Sequence, residues 1–266
     1  MSSTPASANA PVTPRPAAAV VVARERAGTS IEVLMVRRQV KSEFAPDVFV
    51  FPGGSVQPGD REAEMTPGLC VVAGGGITAL GSGFRVAALR ELFEEAGVLL
   101  AHRRDVPLAI ERDAVGRFAR YRQELCAGRA TLGSIAAREG LRLATDALLH
   151  WAHWITPEML PKRFDTHFFL AGSPEDQSPT HDDLEVTASE WITPEEALAR
   201  HARAEFPLVF ATVHQLRALS GLPDLAAARA RFMGREPRAI MPLATRTADG
   251  GMMVKLPDDP GDPVRL

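Results

Sequence analysis

A chain of 266 residues with 45% apolar and 24% charged residues can bury a substantial core and has the composition of an ordinary globular protein. Its formal net charge of −3 provides no basic excess with which to displace counterions from nucleic acid or to hold an anionic membrane, so neither is expected as a partner. The two cysteines, Cys70 and Cys126, have neither metal-ligand spacing nor the density of a disulfide scaffold, and a reducing compartment, by default the cytoplasm, is expected.

In chain order, residues 1–15 are rich in Pro, Ala, Ser and Thr, lack an apolar h-region, and read as a disordered tail rather than a signal peptide. Residues 17–24 and 31–36 are short apolar, β-branched runs separated by Ala27-Gly28-Thr29-Ser30, the pattern of a hairpin. A further strand is predicted over 48–51, stopped by Pro52, Gly53 and Gly54. A helix follows over 84–96, and Gly97 is suited to the left-handed residue that closes it. Val115, Phe118, Tyr121 and Leu125 recur at helical spacing and a second helical run spans 131–139, which predicts an added helical subdomain with no visible chemistry. Residues 148–155 and 164–170 are strand-like and are predicted to pair, and 185–192 is another candidate strand. Helices are expected over 194–203, 207–220 and 225–231, and the Pro- and Asp-rich end is expected to be irregular. Mixed strands framing one helix, with helices outside, give an α/β sandwich. No apolar stretch approaches about 18 residues, so no membrane span is predicted.

The helix over 84–96 carries the chemistry. At 100° per residue Glu91, Glu94 and Glu95 project within about 100° of one another, while Leu89, Leu92 and Ala96 point to a different side. Three carboxylates so close raise one another's proton affinity unless a cation neutralises them, and a divalent metal is the economical explanation. Oxygen ligands suit magnesium or manganese and argue against zinc, for which His and Cys are expected. The plain alternative is a solvated acidic face.

The context of this helix resembles the Nudix hydrolases. Phe49-Val50-Phe51-Pro52-Gly53-Gly54 precedes it, and Arg90-Glu91-Leu92-Phe93-Glu94-Glu95-Ala96-Gly97-Val98 matches every specified position in the second half of the family's box. That box reads Gly, five residues, Glu, seven residues, then Arg-Glu-apolar-x-Glu-Glu-x-Gly-apolar. Its glycine and arginine are 14 positions apart, whereas here 90 − 54 = 36, which implies an insertion of about 22 residues. Asp60 falls at the first acidic position counted from Gly54, and Ser82 counted back from Arg90. The glycine-rich insertion, with Gly68, Gly74, Gly75, Gly76, Gly81 and Gly83, is expected to be a surface flap beside the metal site. The interrupted box, with Lys162 to Phe169 and Glu190 to Leu198, is similar to the branch of the family that includes a coenzyme A diphosphatase, over roughly residues 16–200. The resemblance implies a Nudix-type α/β/α sandwich with a mixed sheet, occupying 16–200, with insertions at 55–83 and 102–147 and a helical C-terminal extension, 201–266, packed on the same domain.

For the site, the resemblance implies magnesium or manganese on Glu94 and Glu95, with Glu91 and the backbone carbonyl of Gly54 as further ligands. Arg90 would orient the glutamates, most directly Glu94 four residues on. Glu185, six positions before Trp191 within Asp182-Asp183-Leu184-Glu185, stands where the family recruits a further carboxylate as ligand or general base, with Asp182 and Asp183 as fallbacks. The implied reaction is metal-assisted hydrolysis of a phosphoanhydride. Arg37, Arg38, Lys41 and Arg163 lie on segments expected near the pocket and are candidates for holding substrate phosphates, against the plainer reading of surface charge. In the coenzyme A signature of a related branch Arg38 matches the first arginine, while Glu43 and Asp47 replace the second arginine and the glycine. Coenzyme A or an acyl derivative is the leading substrate, with ADP-ribose, NADH and nucleotide sugars behind it. A nucleotide-binding module without catalysis is the rival, and a homodimer is left open. His150 and His153 are three apart in a strand-like segment and are expected on opposite faces, and His167 lies among aromatics, so packing is favoured over metal binding for all three.

Overall fold

The computed structural model describes residues 11–26, 30–40, 46–71, 82–179 and 186–265. Strands β1 (Arg15–Arg26) and β2 (Ser30–Arg38) pair antiparallel as expected, with Ala23 opposite Val33. Next come β3 (Phe49–Val50) and β4 (Gly53–Ser55), paired with β2 and β1 respectively, so that Gly54 lies opposite Ala18. Helices α1 (Pro58–Met65) and α2 (Phe84–Ala96) follow. The 102–147 region comprises β5 (Ala101–Arg103), β6 (Val106–Pro107), α3 (Val115–Cys126), α4 (Leu132–Glu139) and β7 (Arg142–Leu143). Then come β8 (Leu149–Ile155), β9 (Phe164–Gly172), β10 (Val186–Ile192), α5 (Pro194–Ala202), α6 (Phe210–Leu219) and α7 (Leu225–Phe232), followed by β11 (Ala239–Ile240), β12 (Leu243–Arg246), β13 (Met252–Lys255) and β14 (Val264–Arg265).

The main sheet runs β10-β2-β1-β9-β8-β11, with β3 and β4 beside β2 and β1. It is mixed: β1 is parallel to β9, and β8 is antiparallel to β9. Residues 17–23 of β1 are all buried, because the sheet is covered on both faces and has no solvent side that would impose alternation. Val20, Val22, Phe169 and Ala171 pack with Leu89, Leu92 and Phe93 of α2, whereas Val21, Val33, Met35 and Leu170 pack with Phe206, Leu216 and Leu219 on the other face. An α/β/α sandwich results, as the resemblance implied.

Helix α2 has the expected bounds, and Gly97 (φ 69°) closes it, its N–H reaching the carbonyl of Phe93. Its surroundings differ from expectation. The start of the 55–83 insertion is a helix, α1, rather than a flap, and its Asp60 is buried. Pro58 opens that helix and the Asp60 carboxylate accepts the Gln57 N–H at 2.8 Å, so a capped turn forms where glycine content alone suggested a loop. The rest of the glycine-rich stretch, 72–81, lies outside the described residues. Glu64 of α1 accepts the Gly83 N–H at 2.7 Å, setting a carboxylate at the N-terminus of α2. Gly133 of α4 sits so close to α1 that an added Cβ would lie 3.0 Å from the Ala63 side chain.

Two further differences come from strand pairing. The C-terminal region is helical only as far as α7. β11 then joins the main sheet parallel to β8, and β12, β13 and β14 form a small antiparallel sheet. Strands of two to four residues are too short for their periodicity to stand out from a loop. In β8 the register shifts between His150 (opposite Phe169) and Ala152 (opposite Phe168), so His150 and His153, expected on opposite faces, share one. Among the described residues no helix is long and apolar enough to cross a membrane.

Because Leu92 is fully buried between α2 and the sheet, Leu92→Ala should cost about 2–5 kcal/mol of unfolding free energy by urea denaturation. A loss below about 1 kcal/mol would mean that this helix is not clamped by the core.

Candidate functional site

Helix α2 places Arg90, Glu91, Glu94 and Glu95 in the wall of a cavity of about 310 Å³. Gln57, Gly59 and Asp60 form a second side, and Leu125, Cys126, Gly128, Ala130, Thr131 and Leu132, at the junction of α3 and α4, form a third. The inserted helices, in which the sequence revealed no chemistry, therefore close the cavity. Arg122 of α3 also donates to the backbone carbonyl of Glu94 at 2.9 Å, tying that wall to the last turn of α2. In sequence residues 126–132 fall at the end of one helical run and the start of the next, 131–139, and no local signal marks them as part of a site.

The guanidinium of Arg90 organises the carboxylates. It has five N–H donors, and each has a partner. Nε donates to Asp60 Oδ1 at 2.9 Å. Nη1 donates to Glu91 Oε1 at 2.8 Å and to Glu94 Oε2 at 2.6 Å. Nη2 donates to the Ser55 carbonyl at 2.9 Å and to Asp60 Oδ2 at 3.1 Å. Only 3% of the side chain is exposed. Burial opposes its charge, but Glu91, the hydrogen bonds to Asp60, and Glu94 outweigh that cost and raise its pKa. Asp60 thus stands six positions after Gly54 and grips the box arginine, so the insertion enters after the first acidic position and Ser82 has no part in it.

The two glycines ahead of the helix are dictated by close approach. A Cβ on Gly54 would lie 2.3 Å from Glu91 Oε1, and one on Gly53 would lie 2.5 Å from the Ala19 side chain. The N–H of Gly53 donates to Glu95 Oε2 at 3.0 Å. Glu91, Glu94 and Glu95 therefore line one cavity, with Gly54 against Glu91.

Arg90 against Asp60, Glu91, Glu94 and Glu95 leaves 1 − 4 = −3 formal charges, with Glu91 and Glu95 only 7% and 4% exposed. Buried like charges in such excess call for a counter-cation, and a donor set made only of oxygens fits magnesium or manganese. The three glutamates are not among the groups of described residues whose ligand atoms converge within 4.8 Å. Arg90 Nη1 sits between Glu91 and Glu94 and spaces them along the cavity wall.

The remaining expected residues lie elsewhere. Glu185, with Asp182, Asp183, Lys41 and Glu43, lies outside the described residues. Arg163, a candidate for holding phosphate, lies at the β8–β9 turn away from the cavity. It is buried, its Nε donates to the Thr156 carbonyl at 3.0 Å and its Nη1 to the Val12 carbonyl at 2.7 Å, holding the start of β1 against the β8–β9 turn. Arg37 pairs with Asp47 at 2.8 Å and lies over the Phe49 ring, and Arg38 is on β2 opposite Val186. None of the three arginines lines the cavity.

Replacing Arg90 with leucine takes the cation away from three carboxylates, Asp60, Glu91 and Glu94, and in metal-free buffer the variant should lose about 3–5 kcal/mol by urea denaturation. A loss under about 1 kcal/mol would show that the carboxylates do not depend on this cation. Gly54→Ala, which drives a methyl group into Glu91, should lower the melting temperature even though Gly54 needs no unusual φ.

The family model of the NUDT19 Nudix domain matches residues 78–219, which is 142 of the 266 residues and more than half the chain. Acyl-coenzyme A diphosphatase NUDT19 of Homo sapiens is 28% identical over 296 residues, covering 92% of this chain and 76% of that protein. Putative nudix hydrolase 7 of Caenorhabditis elegans is 29% identical over 218 residues, covering 79% of this chain and 62% of that protein, so the chain spans less than two thirds of the worm protein's length. Among solved structures, the NUDIX hydrolase from Alicyclobacillus acidocaldarius is 30% identical with a TM-score of 0.70, covering 82% of this chain and 96% of that one. With the arginine-centred carboxylates in place on α2 and the same sandwich around them, the chain belongs to the Nudix hydrolase superfamily, in the branch of the NUDT19 Nudix domain.

Proposed function

We propose that this protein hydrolyses a phosphoanhydride in a nucleoside diphosphate linked to another moiety, and that coenzyme A or an acyl-coenzyme A is its substrate, giving 3',5'-ADP and a phosphopantetheine. One observation carries the reaction: four buried or half-buried carboxylates and one fully engaged arginine face a cavity with three negative charges in excess. The substrate rests on the printed names of the NUDT19 relatives, each an acyl-coenzyme A diphosphatase.

Glu91, Glu94 and Glu95, with the carbonyl of Gly54, would hold magnesium or manganese. When bound, the ion supplies neutralisation of phosphate oxygens and orientation of a water for in-line attack. Arg90 is a positioning residue: it fixes Glu91 and Glu94 through one nitrogen and is itself fixed by Asp60 and Ser55. The Gly53 N–H fixes Glu95 at the cavity wall. The α3–α4 junction covers the cavity and limits bulk water around the reacting phosphates. Glu185 is assigned as general base from the resemblance. Its chain neighbour Val186 lies opposite Arg38, which keeps Arg38, and Arg37 beside it, as the candidates for binding substrate phosphate.

Purified protein with magnesium should be tested on coenzyme A, acetyl-coenzyme A, ADP-ribose, NADH and UDP-glucose. The two coenzyme A compounds should give the highest kcat/KM, with 3',5'-ADP as product. Faster turnover of ADP-ribose or NADH would replace the substrate assignment, and thermal stabilisation without any turnover would identify a binding module instead. Glu94→Gln should lower kcat by at least about 100-fold with an unchanged circular dichroism spectrum, more than loss of an outer partner costs. An unaltered rate would remove Glu94 from the metal set. Glu185→Gln should lower kcat while leaving magnesium affinity in place.

A further inference from the structure

Strands β8 and β9 carry a second cluster of ligating side chains, outside the cavity and unused by the reaction above. The register sets His153 opposite His167, and Asp165 lies two residues before His167 on the same face. The Asp165 carboxylate oxygen Oδ1 is hydrogen-bonded to His153 Nε2 and lies 4.0 Å from His167 Nε2. The two imidazole rings stack with centroids 4.0 Å apart. One ligand atom from each of the three residues lies within 4.8 Å of the others, the one such group among the described residues. Their side chains are 17%, 35% and 14% exposed, so the site is sheltered yet open to an ion from solvent.

We propose that His153 Nε2, Asp165 Oδ1 and His167 Nε2 form a second metal site, for a divalent transition ion such as zinc or cobalt, separate from the carboxylate site on α2. Two imidazoles and one carboxylate are the donor set that such ions prefer, and three protein ligands leave a coordination position for water. A tetrahedral ion with bonds of about 2.1 Å holds its ligand atoms about 3.4 Å apart, so binding draws His167 towards Asp165, separates Asp165 from His153, and turns the stacked rings until both lone pairs point at the ion. An outer partner is already in place: His150 Nε2 lies 2.9 Å from His167 Nδ1, and with a metal on Nε2 that contact is His167 Nδ1–H donating to His150. Phe84, the first residue of α2, packs its ring 4.1 Å from that of His167, and Phe169 packs 5.3 Å from His150, so aromatic rings wall the cluster.

The bulge in β8 makes the cluster. It inserts one residue between His150 and His153 in the pairing, and without it His153 would face α5–α7 rather than join His167. His167 lies opposite Ala18, which lies opposite Gly54, so the two sites are two strands, about 10 Å, apart across the sheet. A hard-oxygen site and a nitrogen-rich site thus sit on the same face of one sheet, suited to different ions.

Full-length protein stripped with EDTA should be titrated with cobalt(II) in saturating magnesium and followed by visible absorption. The expected result is one equivalent of cobalt with the d–d bands of a low-coordinate nitrogen-ligated ion, present equally in Glu94→Gln. His167→Gln and Asp165→Asn, checked for folding by circular dichroism, should each weaken cobalt binding by at least about tenfold. Crystals soaked in cobalt should show an anomalous peak between His153 and His167 whether or not those variants fold. Absence of bands in the wild type, bands that survive both substitutions, or an anomalous peak only beside Glu94 would overturn the site, and none of these outcomes bears on the proposed hydrolysis.

Discussion

A buried cation surrounded by acceptors from three separate segments governs the architecture of this protein. Arg90 joins β4 through the Ser55 carbonyl, α1 through Asp60, and its own helix through Glu91 and Glu94. A guanidinium is suited to the task because it cannot be deprotonated and offers its donors in a fixed planar fork, which lysine cannot match. Every partner gains from the others, since each carboxylate is held where its charge offsets the cost of burying the guanidinium. Removing any one leaves charge without compensation where water cannot supply it.

That same interaction explains how the box tolerates so large an interruption. The glycine half, through Asp60, and the arginine half, from Arg90, are docked face to face by hydrogen bonds rather than by chain continuity. The residues between them leave after the docking point at Asp60 and return at Gly83, where Glu64 receives the backbone. Closure entropy grows only slowly with loop length, so added residues at that place cost little once both ends are fixed. The pair Gly53 and Gly54 completes the joint, because their missing side chains leave the space that the Glu91 carboxylate and β1 occupy.

One face of the sheet then carries two kinds of polar chemistry within a largely apolar layer. At β4 and α2 the donors are carboxylates, balanced in part by arginine. At β8 and β9 they are imidazoles with a single carboxylate. Helix α2 separates and serves both: Phe84 at its first turn stacks on His167, and Glu91 to Glu95 at its later turns face the cavity. Burial of the helix on every side, by the sheet, α1 and α3, turns what reads as an amphipathic acidic helix into the polar centre of the domain.

The sequence by itself determined the elements whose signal is local. Helix α2 and its closing Gly97, the hairpin of β1 and β2, the pairing of β8 with β9, and the grouping of Glu91, Glu94 and Glu95 all follow from side-chain spacing of 2 or 3.6 residues and from glycine at a left-handed position. Only the tertiary structure decided what depends on contacts between distant segments. Asp60 rather than Ser82 takes the first acidic position because α1 brings it to Arg90, 30 residues away in sequence. A one-residue bulge, invisible in the order of residues, puts His150 and His153 on one face. The α3–α4 junction becomes a cavity wall, and Arg163 is drawn to the carbonyls of Thr156 and Val12, because packing and backbone satisfaction are settled by which surfaces meet. Spacing along the chain fixes which way a side chain points from its own helix or strand, and it carries no record of what the fold will set in front of it.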